Sequence, residues 1–167
     1  MNTLFDNSHV RRQDRLLPEE RAWQLLKEAE WSVLSMVDDE GKPYGIPVSH
    51  VWDGGKYIYI HCAPQGRKLN AIGAHGEVSL CVVGRVNLLP ERFTTEYESI
   101  VVSGTATTDL PDDEKRAALS LLIDKLSSEH KVVGMKYAAG SFHRVQIIRI
   151  EILQMSGKQK RVNPSQS

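Results

Sequence analysis

In the stretch Tyr57-Ile58-Tyr59-Ile60-His61-Cys62-Ala63-Pro64-Gln65-Gly66-Arg67-Lys68, side chains alternate as in a strand before Pro64 breaks the pattern. Successive strand residues point to opposite faces, so Ile58 and Ile60 share one face and Tyr57, Tyr59 and His61 the other. Gly66, Arg67 and Lys68 then open a short helix, predicted over 68–75. A helix start carries unpaired N–H groups and a partial positive charge, which suits an anion and phosphate above all. The segment reads as a strand that delivers an aromatic, titratable face to a pair of cations. That is a site for a planar, phosphorylated ligand.

Working outward, Asp53-Gly54-Gly55 is a strong hairpin signal joining this strand to one over 44–52. Pro47 lies inside that second strand and demands an edge or a bulge. The turn Asp38-Asp39-Glu40-Gly41-Lys42-Pro43 leads back to a strand over 31–37, where Trp31, Val33, Ser35 and Val37 share a face. The three strands form a meander. Downstream come a strand over 77–86, an irregular segment over 87–95 and a β-branched strand over 98–108 in which Gly104 marks a bulge. A last strand over 143–155 sets Ile148, Ile150 and Ile152 against Arg149 and Glu151.

Pro18 opens a helix with Glu19 and Glu20 at its positive end, and Ala22, Leu25, Leu26 and Ala29 form its apolar stripe. Pro111-Asp112-Asp113-Glu114 starts another, with Leu119, Leu122, Ile123 and Leu126 at the same spacing. Residues 127–141 read as a loop or a partly helical connection. Residues 1–16 read as an extended basic arm and 159–167 as a polar tail, flanking one domain over 17–158. At least six strands joined mainly by turns, with helices that do not alternate with them, argue against a doubly wound parallel sheet. The fold class is mainly β with peripheral helices, a small antiparallel barrel.

Composition agrees with one soluble globular domain: 167 residues, 41% hydrophobic and 25% charged. With 21 basic against 21 acidic residues the net charge is zero, which argues against a nucleic-acid surface or a polybasic membrane face. No apolar run approaches the roughly 18 residues of a membrane span. Cys62 and Cys81 form no Cys-x-x-Cys pair, and two lone cysteines fit a reducing cytoplasm.

Several residues could carry chemistry. Arg67 and Lys68 read either as solvated surface charges or as an anion site, Arg offering a planar fork and Lys a point charge. His61 reads either as a hydrogen-bonded interior histidine or as a group that contacts ligand and moves a proton. A metal site is not expected, because adjacent His61 and Cys62 point to opposite faces of a strand. The cysteines read as small buried hydrophobes, and Gly54-Gly55 is a turn, not a dinucleotide motif. Glu98 and Ser99 begin a strand and are either solvated or meet the polar edge of a ligand.

The segments Tyr44-Gly45-Ile46-Pro47-Val48-Ser49, Tyr59-Ile60-His61-Cys62-Ala63 with Gly66-Arg67-Lys68, and Tyr97-Glu98-Ser99-Ile100-Val101-Val102-Ser103-Gly104-Thr105-Ala106 resemble a known family. It is the nitroimidazole-resistance (Nim-type) branch of the pyridoxamine 5′-phosphate oxidase-like, FMN-binding split-barrel superfamily. Arg11-Arg12-Gln13-Asp14-Arg15 and Ser156-Gly157-Lys158 are similar to that branch as well, so the likeness spans about 11–158. The resemblance implies a six-stranded antiparallel split barrel that forms a cytoplasmic homodimer with FMN at the interface. It implies backbone contacts to the isoalloxazine from Pro47, Val48, Ser49 and His50. It implies phosphate held by the loop of Cys62, Ala63, Gly66, Arg67 and Lys68, and Glu98 and Ser99 near the interface. It makes His61 the candidate catalytic residue of an oxidoreductase that reduces a small molecule such as a nitroaromatic. A non-catalytic flavin- or haem-binding module of the same superfamily is the alternative. Two departures stand out. The Arg-x-Val-Leu-Leu-Lys phosphate motif of true pyridoxamine phosphate oxidases is absent, and Gly66-Arg67-Lys68 replaces the Gly-His-Lys of many relatives.

Overall fold

In the computed structural model, which describes residues 4–162, the extended run after the first turn is two strands rather than one. β2 (Pro43–Ser49) pairs along its whole length with β1 (Trp31–Val37), Trp31 opposite Ser49 and Val37 opposite Pro43. β3 (Val51–Trp52) pairs instead with β4 (Tyr57–Cys62), Val51 opposite Tyr59. His50, between them, is fully buried, with Nε2 3.0 Å from the Leu26 carbonyl oxygen of α1 (Glu19–Glu28). The remaining strands are β5 (Glu77–Leu89), β6 (Thr94–Thr107) and β7 (Gln146–Lys160), and the sheet order is β2-β1-β5-β6-β7-β4-β3, antiparallel throughout. The sheet therefore has seven strands, not six, and hydrogen bonds do not close it. Its two edges are consecutive in the chain and meet at His50, which bends the chain into the core so that one run serves opposite edges. Pro47 sits on edge strand β2, where a missing N–H is tolerated.

The pleat sorts the side chains into two clusters. Leu34 and Met36, Ile58 and Ile60, Leu80 and Val82, Ile100 and Val102, and Ile148, Ile150, Ile152 and Met155 fill the interior of the curled sheet. Ala22, Leu25 and Leu26 of α1 and Ala71 and Ile72 of α2 (Arg67–Ala74) pack onto it. Each fully buried Leu or Ile contributes about 1.5–3 kcal/mol. On the opposite face Val51, Tyr59 and Ile147 meet Ala118, Leu119 and Leu122 of α3 (Asp112–Leu126). The buried face of β1 is Ser32, Leu34 and Met36, so Trp31, Val33, Ser35 and Val37 face outward.

Other segments differ from the sequence expectations. β5 runs on to Leu89 and β6 begins at Thr94, because pairing resumes after a bulge between Val83 and Val86 and holds from Val86↔Tyr97 to Leu89↔Thr94. Only a 3-10 turn over Pro90–Arg92 and its C-cap Phe93 separate them. The last strand starts later and ends later than its pattern suggests: a 3-10 turn occupies Phe142–Arg144, while Tyr97↔Lys160 pairing carries β7 to Lys160. Residues 127–141 hold a 3-10 turn and then α4 (Lys131–Ser141), a fourth α-helix held by its packing on α3 rather than by an apolar stripe of its own.

Gly104 does mark a bulge: a Cβ there would lie 2.4 Å from the Glu151 carbonyl oxygen, and the register shifts between Ser103 and Gly104. Residues 4–16 are not a free arm. They lie against β7, with Asp6 N–H donating to Met155 O (2.8 Å), a bridge between Phe5 and Met155 and another between Leu16 and Lys158. Residues 1–3 of the expected arm and 163–167 of the expected tail lie outside the described residues. Among the described residues no helix is long and apolar enough to cross a membrane.

Candidate functional site

β4 ends at Cys62, and residues 63–66 turn the chain into α2. Gly66 makes the turn possible with φ 144°, a conformation that side-chain-bearing residues rarely adopt. Nothing lies within 4 Å of where its Cβ would stand, so the cradle is open. Leu69 and Asn70 N–H groups both donate to Gly66 O, which leaves the N–H groups of Arg67 and Lys68 ahead of the first intrahelical bonds. The first turn of α2 has no side-chain cap and no acidic residue. Its positive end is therefore uncompensated from within the helix.

The two cations at this helix start have different fates. Arg67 Nη2 donates to Asp38 Oδ2 at 2.7 Å, and its guanidinium lies 4.1 Å from the centroid of the Tyr44 ring. Asp38 is nearly buried and also accepts from the N–H groups of Lys42 (2.8 Å) and Glu40 (3.1 Å). The guanidinium and then these N–H groups hold its carboxyl below the ordinary range. Arg67 thus fastens α2 to the β1–β2 turn. Lys68 is half-buried and makes no hydrogen bond or ion pair among the described residues. Its charge reaches Cys62, where it opposes the upward shift that burial imposes on the thiol. Lys68 is the uncommitted cation of the pair.

On the strand leading in, Cys62 is half-buried toward the core, and Ala63 is exposed. His61 is exposed, on the same face as Tyr59. It borders a cavity of about 240 Å³ formed with α3 and α4. Of the β2 residues, Pro47 and Ser49 are exposed and Val48 points inward. Among the described residues β2 has a hydrogen-bonded strand partner on one side only, β1, although it also approaches β4. The His50 side chain is not at this surface. Burial and then the charge of Lys125 push its pKa down to about 4.

Glu98 and Ser99 are elsewhere. The Glu98 carboxylate is buried and accepts from Arg21 at 2.5 and 3.1 Å and from the Arg85 N–H at 3.3 Å. The Arg21 guanidinium in particular holds it below the ordinary carboxylate range. Ser99 pairs opposite Lys158 of β7, whereas His61 pairs opposite Ile147. Those β7 positions are eleven residues apart, about 36 Å of strand at ~3.3 Å per residue. A single chain does not bring Ser99 and His61 together. The outer face of the sheet that carries Ser99 and Lys158 also bears apolar side chains: Val33 faces Cys81, Cys81 faces Val101, Val83 faces Ser99, and Trp31, Val83, Val101 and, farther along β7, Leu153 are exposed.

The sequence reading missed the α3–α4 wall of the cavity. The only available signal was the Leu119, Leu122, Ile123, Leu126 stripe, whose last two members read as core. In the fold Ile123 and Leu126 line the cavity, and Leu126 is exposed.

With this geometry in place, the chain can be set beside known proteins. The profile of the family described as pyridoxamine 5′-phosphate oxidase matches residues 18–159. No curated protein matches the sequence. Among solved structures, one from Bacteroides thetaiotaomicron named for 5-nitroimidazole antibiotic resistance superposes with a TM-score of 0.73 at 20% identity, covering 87% of this chain and 86% of that one. A FAD-binding protein from Mesorhizobium loti gives 0.61 at 24% identity, covering 88% and 98%. The flavocytochrome Anf3 from Azotobacter vinelandii gives 0.74 at 19% identity, covering 97% and 77%. At these identities the likeness is one of fold.

Proposed function

The chain belongs to the pyridoxamine 5′-phosphate oxidase family, and from that premise we propose that it is an FMN-binding oxidoreductase acting on a small electrophile such as a nitroaromatic. The observation that carries the proposal is Lys68. It is a cation without a hydrogen-bond or ion-pair partner among the described residues, in the uncapped first turn of α2, just beyond the strand that bears His61.

The residues present fit a flavin mononucleotide. Lys68 and the N–H groups of Arg67 and Lys68 would hold the phosphate, a donor set suited to a dianion. Gly66 leaves room for the phosphate to approach the backbone. The backbone of β2 at Val48 and Ser49 would meet the polar edge of the ring system, and Arg67 would keep α2 in place through Asp38. When bound, the flavin supplies the electron transfer, and a nicotinamide donor would supply the electrons. His61 would hold or hand over a proton through its own ring nitrogen.

A second copy of the chain would complete the site. Ser99 belongs to the outer sheet face, whose exposed Trp31, Val83, Val101 and Leu153 are what a partner would cover. The site is then built between protomers, with Ser99 reaching it from the partner's side.

Visible spectroscopy of the purified protein, with and without added FMN, tests this, followed by anaerobic turnover with a nicotinamide donor and a nitroaromatic. Bound flavin absorbance and donor-dependent bleaching are expected. A colourless protein that takes up no FMN refutes the proposal. Bound flavin that no nicotinamide donor reduces would reassign the chain as a flavin carrier, and an intense Soret band on haem addition as a haem module.

A further inference from the structure

We propose that the cavity between α3 and α4 is the substrate pocket of the His61 site, and that it takes a neutral molecule built on one aromatic ring. As the substrate of the flavin reaction, that molecule rests on the function proposed above; as a binding site, the cavity stands on its own geometry.

Position is the first argument. Tyr59 lies under α3, and its hydroxyl donates to Glu114 Oε1 at 3.0 Å. His61, two residues further on the same face of β4, emerges from under the helix and borders the cavity. The phosphate-binding loop proposed above begins two residues beyond it. His61 is therefore the residue shared by the cavity and the strand end that leads into the proposed phosphate loop.

Lining is the second argument. Leu119, Leu122, Ile123 and Leu126 present the apolar stripe of α3 to the space. The close fit of Gly134, where a Cβ would lie 3.1 Å from Ile123, sets α4 against that stripe without filling it. The volume, about 240 Å³, exceeds the roughly 150 Å³ of an apolar cavity that binds benzene, and it falls short of the range of about 300 Å³ and more for drug-sized ligands. One ring with small substituents matches it.

Charge is the third argument. No Lys, Arg, Asp or Glu lines the cavity. The Ser141 hydroxyl already donates to Tyr137 O at 2.7 Å, so His61, Ser127 and the Tyr137 hydroxyl are the polar groups left to meet a ligand. An anion would lose its hydration here and gain no fixed cation in return. A phosphorylated or carboxylated substrate is thereby disfavoured, and a neutral one with a single polar substituent directed at His61 is favoured.

The test is a titration of methyl-labelled protein, with and without FMN, using 4-nitrotoluene and its anionic counterpart 4-nitrobenzoate. The expected result is that 4-nitrotoluene shifts the methyl resonances of Leu119, Leu122, Ile123 and Leu126, that 4-nitrobenzoate binds at least tenfold more weakly, and that Ala138→Trp, which fills the cavity, weakens 4-nitrotoluene at least tenfold. Silent methyls, equal affinity for the anion, or full affinity in the folded Ala138→Trp variant would each overturn the assignment. The wild-type methyl shifts decide the matter even if that variant does not fold. FMN binding with silent methyls removes the pocket and leaves the flavin reading standing; methyl shifts in a protein that binds no FMN do the reverse.

Discussion

Removing the Lys68 ammonium should weaken FMN far more than removing the Arg67–Asp38 pair, although Arg67 and Lys68 are adjacent. Lys68 has no partner among the described residues, so Lys68→Ala deletes a charge-assisted contact to phosphate and little else. Such contacts are worth about 1.5–3 kcal/mol. At about 1.4 kcal/mol per tenfold, that is a loss of roughly tenfold to a hundredfold in affinity. Arg67 already donates to Asp38 at 2.7 Å and stacks over Tyr44, so its charge is neutralised where it stands. Taking both charges out together in R67A/D38N leaves the local net charge unchanged. It also loosens the hold of α2 on the β1–β2 turn, where losing the ion pair should lower stability. The expected outcome is FMN affinity within threefold of wild type in R67A/D38N, with a lower urea midpoint, against a large affinity loss and an unchanged midpoint in K68A. Quenching of flavin fluorescence on titration reads the first quantity and urea unfolding of the apoprotein the second. A double variant that binds FMN as poorly as K68A, or a K68A protein within threefold of wild type, would refute the assignment of the phosphate to Lys68.

His50 makes the fold acid-sensitive in a defined window. Its pKa falls from 6.5 to about 4 in the folded state, so the unfolded chain takes up the proton first. Stability is full above about 6.5 and declines toward pH 4 by at most ~1.4 kcal/mol per pH unit. Urea midpoints measured across that range should fall in the wild type and stay flatter in a folded His50→Gln variant; equal slopes would count against it. Gly104→Ala forces a Cβ to within 2.4 Å of Glu151 O and should cost about 2–3 kcal/mol, read as a lower urea midpoint with an unchanged slope. Val101→Lys, on the outer stripe, should convert the proposed dimer to monomer in light scattering and weaken FMN with it. A monomeric wild type that binds FMN fully would remove the second subunit from the site.

The amino-acid sequence alone determined what depends on neighbours a few residues apart. Period-two alternation from Tyr57 to Cys62 puts Ile58 and Ile60 in the sheet interior and Tyr59 and the exposed His61 on the other face. Asp53-Gly54-Gly55 makes its hairpin because Gly54 takes φ 84° and Asp53 Oδ1 accepts from Gly55 and Tyr57 N–H groups. Pro18 and Pro111 each precede a helix, and Gly66 opens α2. α4 read only as a loop or a partly helical connection because Val132, Val133, Gly134 and Gly140 give it neither propensity nor a stripe, and its docking on α3 is what holds it. Tertiary structure decided the rest, where the deciding partner lies far along the chain. The run from Pro43 to Trp52 became two strands because its halves pair with opposite edges of the sheet. Arg67 lost its claim on a ligand to Asp38, twenty-nine residues earlier. Ser99 was carried away from His61 by the length of β7. Spacing along a chain fixes which face a side chain takes; only closure of the sheet fixes what stands opposite it.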